Sequence, residues 1–489
     1  MIVDTESALT MNDQYLLLLN LLETELARTV LPAVGNDLAK QTTGVAVQEL
    51  KRVIVEETVV RQLRIEAQAA YSALLPALRG AIDAALFSSL ESLLAVDTPN
   101  WTAIDDTLGA IIAALQGSAG KSQLAGRIIA IDSRVRQGKE SAWTALATTP
   151  PAAADASAFT DLDEAQKSRL LDFLKREFPA EQNLQIADVR PLVGGFSKQT
   201  LFVDLKGNKA LPNRLVMRRD PPYVTQGTSV SMEFPVLQNV HAAGIQVPRP
   251  YAVDADGEVL GMPFILVSFS PGTVIGDFLV VHQPNRKVAL AMATQTARLH
   301  ALPVEALADQ LPGGRVTVRE RMVSELQALD AMWKKVRHQK AYTVQAAIDW
   351  LLHNADLADG ARKIVHRDIG VHNLLIANDE ISAVLDWESV VVGTAAEDVA
   401  YSHYQIVQMM DWDEYVATYE KAAGVQLDKR QLDYYMLYAS VRIAVGASSM
   451  VEPVYGGERK SLLQFFIGDY FVQTLVNRIS AKLAEILFR

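Results

Sequence analysis

Four polar side chains between Ile364 and Asp386 have the types and spacing of a phosphoryl-transfer centre. In IVHRDIGVHNLLI, a histidine (His366), an aspartate two residues on (Asp368) and an asparagine five beyond that (Asn373) stand just ahead of a short apolar run. Asp386 follows eighteen residues after Asp368. That interval accommodates a loop, a strand NLLIA, a tight turn at Asn378 to Glu380 and a returning strand ISAVLD. Such a hairpin brings Asp386 back beside Asn373, so one carboxylate and one amide oxygen can bind the same Mg²⁺, an ion that takes oxygen ligands and keeps several waters. Asp368 then faces an acceptor. A hydroxyl is too weak an acid to attack unaided, and a positioned base that orients it and takes its proton contributes about 10²–10⁴-fold. Positioning and neutralisation of phosphate charge supply most of the rest. His366 reads as a scaffold for the backbone around Asp368. Taken singly these residues could be a core histidine and a turn-closing aspartate. Together, at this spacing and in a segment otherwise apolar enough to be core, they read as a site.

The elements that must position this loop lie upstream. RPLVGGFSKQTLFVDL, from Arg190 to Leu205, has β-branched and aromatic runs on either side of a Gly-Gly turn, and NRLVMRR continues as another strand, which together read as an antiparallel sheet. Gly194, Gly195, Phe196 and Ser197 form a turn whose backbone amides can approach phosphates closely, although Gly-Gly hairpins are common without that role. Arg218 sits on a strand where it can hold phosphates, and Glu233, on a helix expected around Ser229 to Ala243, can pair with it. Either could equally be a surface charge. A strand follows at Pro263 to Phe269, and beyond Asp277 the chain reads as mostly helix. Few strands first and many helices after describe an α+β bilobal unit.

The first 147 residues read differently. In YLLLLNLLETELARTVLPAV, Leu18, Leu22, Leu26 and Val30 recur four apart, the period of a helix with one buried face, and stretches near Thr58 to Leu94 and Trp101 to Leu115 are rich in Ala and Leu. TTPPAAADASAF, Thr148 to Phe159, has the composition of a linker. The expected organisation is an all-α bundle at 1–147, a linker at 148–160, a small antiparallel β lobe at 161–267 and a mostly helical lobe at 268–489. The last of these holds the catalytic loop at 364–376 and a metal-binding segment at 384–388. LQGSAGKS, Leu115 to Ser122, imitates a nucleotide P-loop but has Leu at the first glycine position and follows a helix rather than a strand, so it reads as an interhelical turn.

With 57 acidic against 46 basic residues, the 489-residue chain lacks the positive field that nucleic-acid binding or anionic-membrane attachment needs. The apolar window Leu78 to Val96 is interrupted by Arg79, Asp83 and Glu91 and is not expected to span a membrane. With no cysteine there is no disulfide, thiol nucleophile or thiolate site. The acidic start does not read as a secretory signal, and the expected location is the cytoplasm.

Residues from about 160 to 480 resemble the aminoglycoside phosphotransferase/choline kinase family of the protein-kinase-like fold. VHRDIGVHNLLI is similar to that family's catalytic loop, and AVLDWESVVVGTAAEDVAY to its metal-binding stretch followed by the Gly and Asp that close the next turn. LDWE, AAIDWLLHN and YYMLYASVRIAV resemble the branch associated with acyl-CoA dehydrogenases. The resemblance implies ATP and Mg²⁺ as cofactors, Asp368 as catalytic base, Asn373 and Asp386 as metal ligands, and Gly194 to Ser197 as phosphate loop. It further implies Arg218 in the usual lysine or arginine place with Glu233 as its helical partner, and Val267, Ser268 and Phe269 as adenine hinge. Three positions depart from the pattern. Arg367 stands where small-molecule kinases usually have glycine, Lys198 where the branch usually has asparagine, and TAA after Gly393 where the branch often has Asp-Pro. The opening helices resemble a small helical protein found beside these kinases, which leaves a substrate-site partner, a homodimerisation element or a scaffold open.

The implied activity is phosphorylation of a hydroxyl on a small metabolite, a 4-hydroxyacyl-CoA or hydroxy acid in catabolism, and KKVRHQK (Lys334 to Lys340) is one basic run that could meet a CoA anion. Antibiotic phosphorylation is the alternative, with DWDE (Asp411 to Glu414) as an acidic contact for a polycation. A protein kinase is disfavoured because no activation segment follows Asp386. A non-catalytic pseudokinase is the remaining class, and the intact Asp368, Asn373 and Asp386 argue against it.

Overall fold

The computed structural model describes residues 53–96, 99–115, 119–146, 162–192, 198–220, 229–336, 341–455 and 471–488, with Lys51 and scattered positions before it. Its longer helices are α1 (Arg61–Ser72), α2 (Ala84–Leu94), α3 (Trp101–Ala114), α4 (Ala119–Leu146), α5 (Glu164–Glu177), α6 (Val230–Ala242) and α7 (Arg286–His300). They continue as α8 (Val318–Trp333), α9 (Tyr342–His353), α10 (Ala395–Tyr401), α11 (Trp412–Ala423), α12 (Lys429–Tyr455) and α13 (Val472–Phe488). The strands are β1 (Gln185–Leu192), β2 (Gln199–Lys206), β3 (Arg214–Arg219), β4 (Pro250–Asp254), β5 (Phe264–Ser268), β6 (Arg362–Val365), β7 (Leu374–Ala377), β8 (Glu380–Val384) and β9 (Val391–Thr394). Among the described residues no helix is long and apolar enough to cross a membrane.

The chain divides into two compact units, one made of 1–152, 326–353 and 440–489, the other of 153–325 and 354–439. Segments 326–353 and 440–489, which the sequence reading puts in the helical lobe, cluster instead with the amino-terminal helices. Within that first unit α13 packs on α4 and α9 on α3. Gly109 makes the second contact close, since a Cβ there would stand 3.0 Å from the Cβ of Tyr342. A linker composition marks a change in the sequence but not which apolar faces find each other. The same unit buries a polar seam in which Ser480 Oγ donates to Asp132 Oδ2 at 3.0 Å and Arg136 Nε to the same oxygen at 2.6 Å. Of the expected stripe Leu18, Leu22, Leu26 and Val30, only Leu22 and Leu26 fall within the described residues. Leu22 is 45% exposed and Leu26 half-buried, whereas Leu19, outside that stripe, is buried. With leucine at nearly every position from 16 to 22, period alone does not select a face.

In the second unit an antiparallel sheet runs in the order β1-β2-β3-β5-β4. Strand β2 alternates buried residues with half-buried or exposed ones, the period-two pattern of a sheet with one covered face. Helix α5 covers it, opened by a capping box in which Asp163 and Gln166 satisfy each other's backbone amides, with Phe173 edge-on to Phe264 at 5.4 Å. Helix α6 starts at an Ser229 cap and stops at Ala243, as the sequence reading expects. The helical remainder is not unbroken after Asp277. Besides the β7–β8 pair, β6 and β9 form a second two-stranded sheet, so VVGT, Val391 to Thr394, is a strand within the stretch expected to be mostly helix, and its four residues are all buried.

Candidate active site

The loop after β6 is built around His366, which is fully buried and accepts the Asp368 amide on Nδ1 at 3.3 Å while donating from Nε2 to the Leu385 carbonyl at 3.0 Å. It therefore ties the loop to the residue preceding Asp386. The β7–β8 hairpin closes through Asn378 and Asp379, both left-handed (φ 53° and 59°), the requirement of a two-residue type I′ turn that Asn and Asp tolerate. Its register pairs Leu374 with Val384, and the Leu385 amide donates to the Asn373 carbonyl at 2.8 Å, so the hairpin brings Asn373 and Asp386 to one end.

Asp368 has both carboxylate oxygens engaged. Oδ1 accepts from His372 Nε2 at 3.2 Å and from the Tyr401 hydroxyl, and Oδ2 accepts from Asn373 Nδ2 at 2.9 Å. Burial pushes this carboxyl up, but His372, Tyr401 and His366 outweigh it and hold it down at about 2. His372 is fixed as a donor because Gln405 Nε2 donates to its Nδ1 at 3.1 Å. Two lone pairs of Oδ1 are thus filled and one remains on Oδ2.

Arg367 occupies the left-handed region, φ 66°, where glycine pays nothing and a longer residue is strained by about 1–3 kcal/mol. The departure from glycine is compensated by charge. Arg367 Nη2 meets Glu325 Oε2 at 2.8 Å and its Nε meets Glu397 Oε1 at 3.1 Å, and Arg321 pairs with the same two acids. The Tyr438 hydroxyl bonds with Arg367 and Glu325. Burial raises the Glu325 carboxyl, but Arg367 and Arg321 bring it down to about 2. Asp398, fully buried, takes the amides of His366 (2.8 Å) and Arg367 (2.6 Å) and a bond from His300 Nε2 (3.0 Å). His300, Glu325, Glu397, His372, Tyr401 and Gln405 escaped the sequence reading. Of these only His372, within the loop itself, carried a local signal.

On the other flank Arg218 points from β3 and pairs with two acids at once, Nη1 with Glu233 Oε2 at 2.9 Å and Nη2 with Asp386 Oδ1 at 3.0 Å. A forked guanidinium can hold both, where an ammonium offers one point charge. The Glu233 contact is off-line for hydrogen bonding, so neither oxygen of that buried carboxylate has a hydrogen bond. Burial pushes Glu233 up to about 7, against the pull of Arg218 and with the help of Asp386 and Glu388. Asp386, like Arg367, is left-handed, φ 65°, a conformation that aspartate adopts more readily. Glu233, Asp386 and Glu388 each offer an oxygen, all within 4.8 Å of one another, and this hard-oxygen set suits Mg²⁺. Lys198 does not point outward. It is buried, with Nζ 3.0 Å from Asp220 Oδ1 and 3.7 Å from Glu388 Oε2.

Gly194, Gly195, Phe196 and Ser197 lie outside the described residues. Val267 is buried between β3 and β4, where it pairs with Val216 and Pro250. Ser268 Oγ accepts from the Arg249 amide at 2.9 Å, and Phe269 is 43% exposed, flanked by Phe202 and Arg214. In DWDE, Asp411 caps α11 and Glu414 pairs with Arg286, so neither is spare for a cation. Within KKVRHQK, Lys334 pairs with Asp330 and residues 337–340 lie outside the described residues. In the P-loop imitation, Lys121 is exposed in the first turn of α4, and residues 116–118 are likewise outside the described residues.

A family model described as "Phosphotransferase enzyme family" matches residues 188–435, about half the chain. Acyl-CoA dehydrogenase family member 11 of Gallus gallus is 28% identical over 250 residues, 49% of this chain and 30% of that protein. An Arabidopsis thaliana protein named Probable acyl-CoA dehydrogenase IBR3 is 28% identical over 234 residues, 44% of this chain and 28% of that protein. The chain thus matches less than a third of the length of either relative. A crystal structure from Ralstonia eutropha, described as a candidate aminoglycoside phosphotransferase, superposes with a TM-score of 0.51 at 19% identity, over 65% of this chain and 98% of that one. That likeness establishes the fold.

Proposed function

From the premise that this chain belongs to the phosphotransferase enzyme family, we propose that it transfers the γ-phosphoryl group of ATP to a hydroxyl of a small organic metabolite, a hydroxyacyl-CoA or hydroxy acid. The observation that carries the reading is the state of Asp368, a carboxylate with one open lone pair, fixed by the three donors His372, Tyr401 and Asn373. An acceptor hydroxyl donates to Oδ2, and its proton passes to that oxygen as the new phosphorus–oxygen bond forms and the bond to ADP breaks. A carboxyl held at about 2 is a weak base, which suits a loose transition state in which orientation matters more than early deprotonation. Asn373 and Asp386 would hold Mg²⁺, with Glu388 in reach of the same ion. The metal, when bound, neutralises phosphate charge. Arg218 is poised to exchange a carboxylate for phosphate oxygens, with Glu233 keeping its other arm, and the turn Gly194 to Ser197 would cover the phosphates and Val267 to Phe269 the adenine. The acyl-CoA acceptor class is supported by the names of the partial relatives. For the antibiotic reading, DWDE offers a polycation Asp413, since Asp411 caps α11 and Glu414 pairs with Arg286.

The test is ADP release with Mg²⁺ and ATP across hydroxy acids, their CoA thioesters, phenols and aminoglycosides. Release that depends on an acid or thioester, with a phosphorylated product, supports the proposal. Failure of every hydroxylated compound to promote release sinks it.

A further inference from the structure

Tyr401 and His372, the two donors to Asp368 Oδ1, share a neighbour that the reaction as described does not use. The Phe278 ring stands edge-on to both, 5.4 Å from His372 and 6.2 Å from Tyr401 between centroids. Phe278 is half-buried at the tip of a tight loop closed by the Gly276–Val281 bridge. Two glutamines hold that tip. Gln405 Nε2, which turns one hydrogen to His372 Nδ1, shares the other between the carbonyls of Asp277 at 2.8 Å and Phe278 at 3.2 Å, while its Oε1 accepts the Val371 amide at 2.8 Å. Gln408 accepts the Val281 amide at 3.0 Å and donates to the Leu279 carbonyl at 3.1 Å. One buried amide, that of Gln405, therefore fixes the loop tip, the tautomer of His372 and the segment carrying the base.

The tip is apolar and its one carboxylate is engaged. Asp277 accepts the amides of Leu279 and Val280 and pairs with His282. Val280 on the tip and Val407 beside Gln408 are 39% and 49% exposed. A polycation brought here would exchange water for aromatic edges and amide groups, with no spare carboxylate on this tip to replace the lost solvation. An alkyl or aryl carbon bearing the hydroxyl would instead bury apolar surface against Phe278.

We propose that Phe278 and Tyr401 form an aromatic collar over Asp368 that selects acceptors whose hydroxyl is carried on an apolar chain or ring. This rests on the phosphotransferase reading and names the specificity residue within it. The experiment is steady-state kinetics with 4-hydroxyalkanoates of increasing chain length and with kanamycin, on the parent, Phe278→Ala and Phe278→Leu. For the parent, kcat/KM rises by about three- to fourfold per methylene that reaches the collar. Phe278→Ala raises acceptor KM by about tenfold or more and flattens that slope, with a much smaller change in kcat, and Phe278→Leu restores most of the slope. Equal binding of a nucleotide analogue by all three proteins shows that they are folded. A flat parent series, or transfer to kanamycin with KM indifferent to Phe278→Ala, overturns the collar and leaves the phosphotransferase reading standing. Absence of transfer to any hydroxyl overturns both.

Discussion

Asp368 and Glu233 are carboxylates of one candidate site in opposite surroundings. Asp368 receives hydrogen bonds on both oxygens and is held at about 2, whereas burial pushes Glu233, which has no hydrogen bond on either oxygen, up to about 7. On the proposed acceptor side, the donors that fix Asp368 are all in place. The phosphate side gathers Glu233, Asp386 and Glu388 around Arg218 and the edge of Lys198, an excess of negative charge that a divalent cation would balance. In the proposed reaction, preorganisation lies where a neutral hydroxyl would be aimed, and electrostatic tension where a charged metal–nucleotide would be drawn in.

The largest effect expected from breaking this contrast is on the phosphate side. Asp386→Ala lowers kcat by roughly a thousandfold, the several kcal/mol a metal contributes to charge stabilisation, and weakens Mn²⁺ binding measured by electron paramagnetic resonance. Unchanged Mn²⁺ affinity would remove Asp386 from the metal site.

Beneath the acceptor side, Arg367→Gly relieves the left-handed strain but leaves buried Glu397 and half-buried Glu325 with Arg321 as their remaining cation. Loss of one buried partner costs about 3–5 kcal/mol and the relief returns about 1–3, so the net loss of stability is up to about 4 kcal/mol. A thermal or urea unfolding midpoint at or above the parent's would show that the acids do not need Arg367.

The same network sets an acid limit. Glu325 is depressed from 4.5 to about 2, so its contribution, about 3 kcal/mol, is present above pH 4.5 and lost as pH falls towards 2. Glu233 has the opposite sign. Raised from 4.5 to about 7, it stabilises fully below pH 4.5, and that stability is lost as pH rises through 7. Glu325→Gln should flatten the stability profile between pH 4.5 and 2, and an unaltered slope there contradicts the assignment. The smallest effect is Tyr401→Phe, which removes one charged hydrogen bond worth about 1.5–3 kcal/mol and should lower kcat by about tenfold or more while nucleotide affinity holds. A loss of nucleotide affinity instead would blur the division between the two sides.

Local chemistry was the part of this site that could be read from sequence. The hairpin bringing Asn373 and Asp386 together was legible because its turn residues, Asn378 and Asp379, favour left-handed backbone and its strands are apolar. The Ser229 cap marked α6 in the same way. What stayed hidden depends on residues far apart in the chain. Asp398 reaches back to the amides of His366 and Arg367, Gln405 ties Phe278 to His372, and Glu325 supports Arg367. None of these pairings has a periodic or local signature. The clustering of 326–353 and 440–489 with the amino-terminal helices was hidden for the same reason.

The central claim is that Asp368 orients the accepting hydroxyl. Its most direct test is single-turnover transfer by Asp368→Asn, a substitution of the same shape, at saturating ATP, Mg²⁺ and acceptor, with nucleotide affinity measured alongside. Phosphoryl transfer slowed by about 10²–10⁴-fold with nucleotide affinity intact is the predicted result. Transfer within a few-fold of the parent's rate would contradict it.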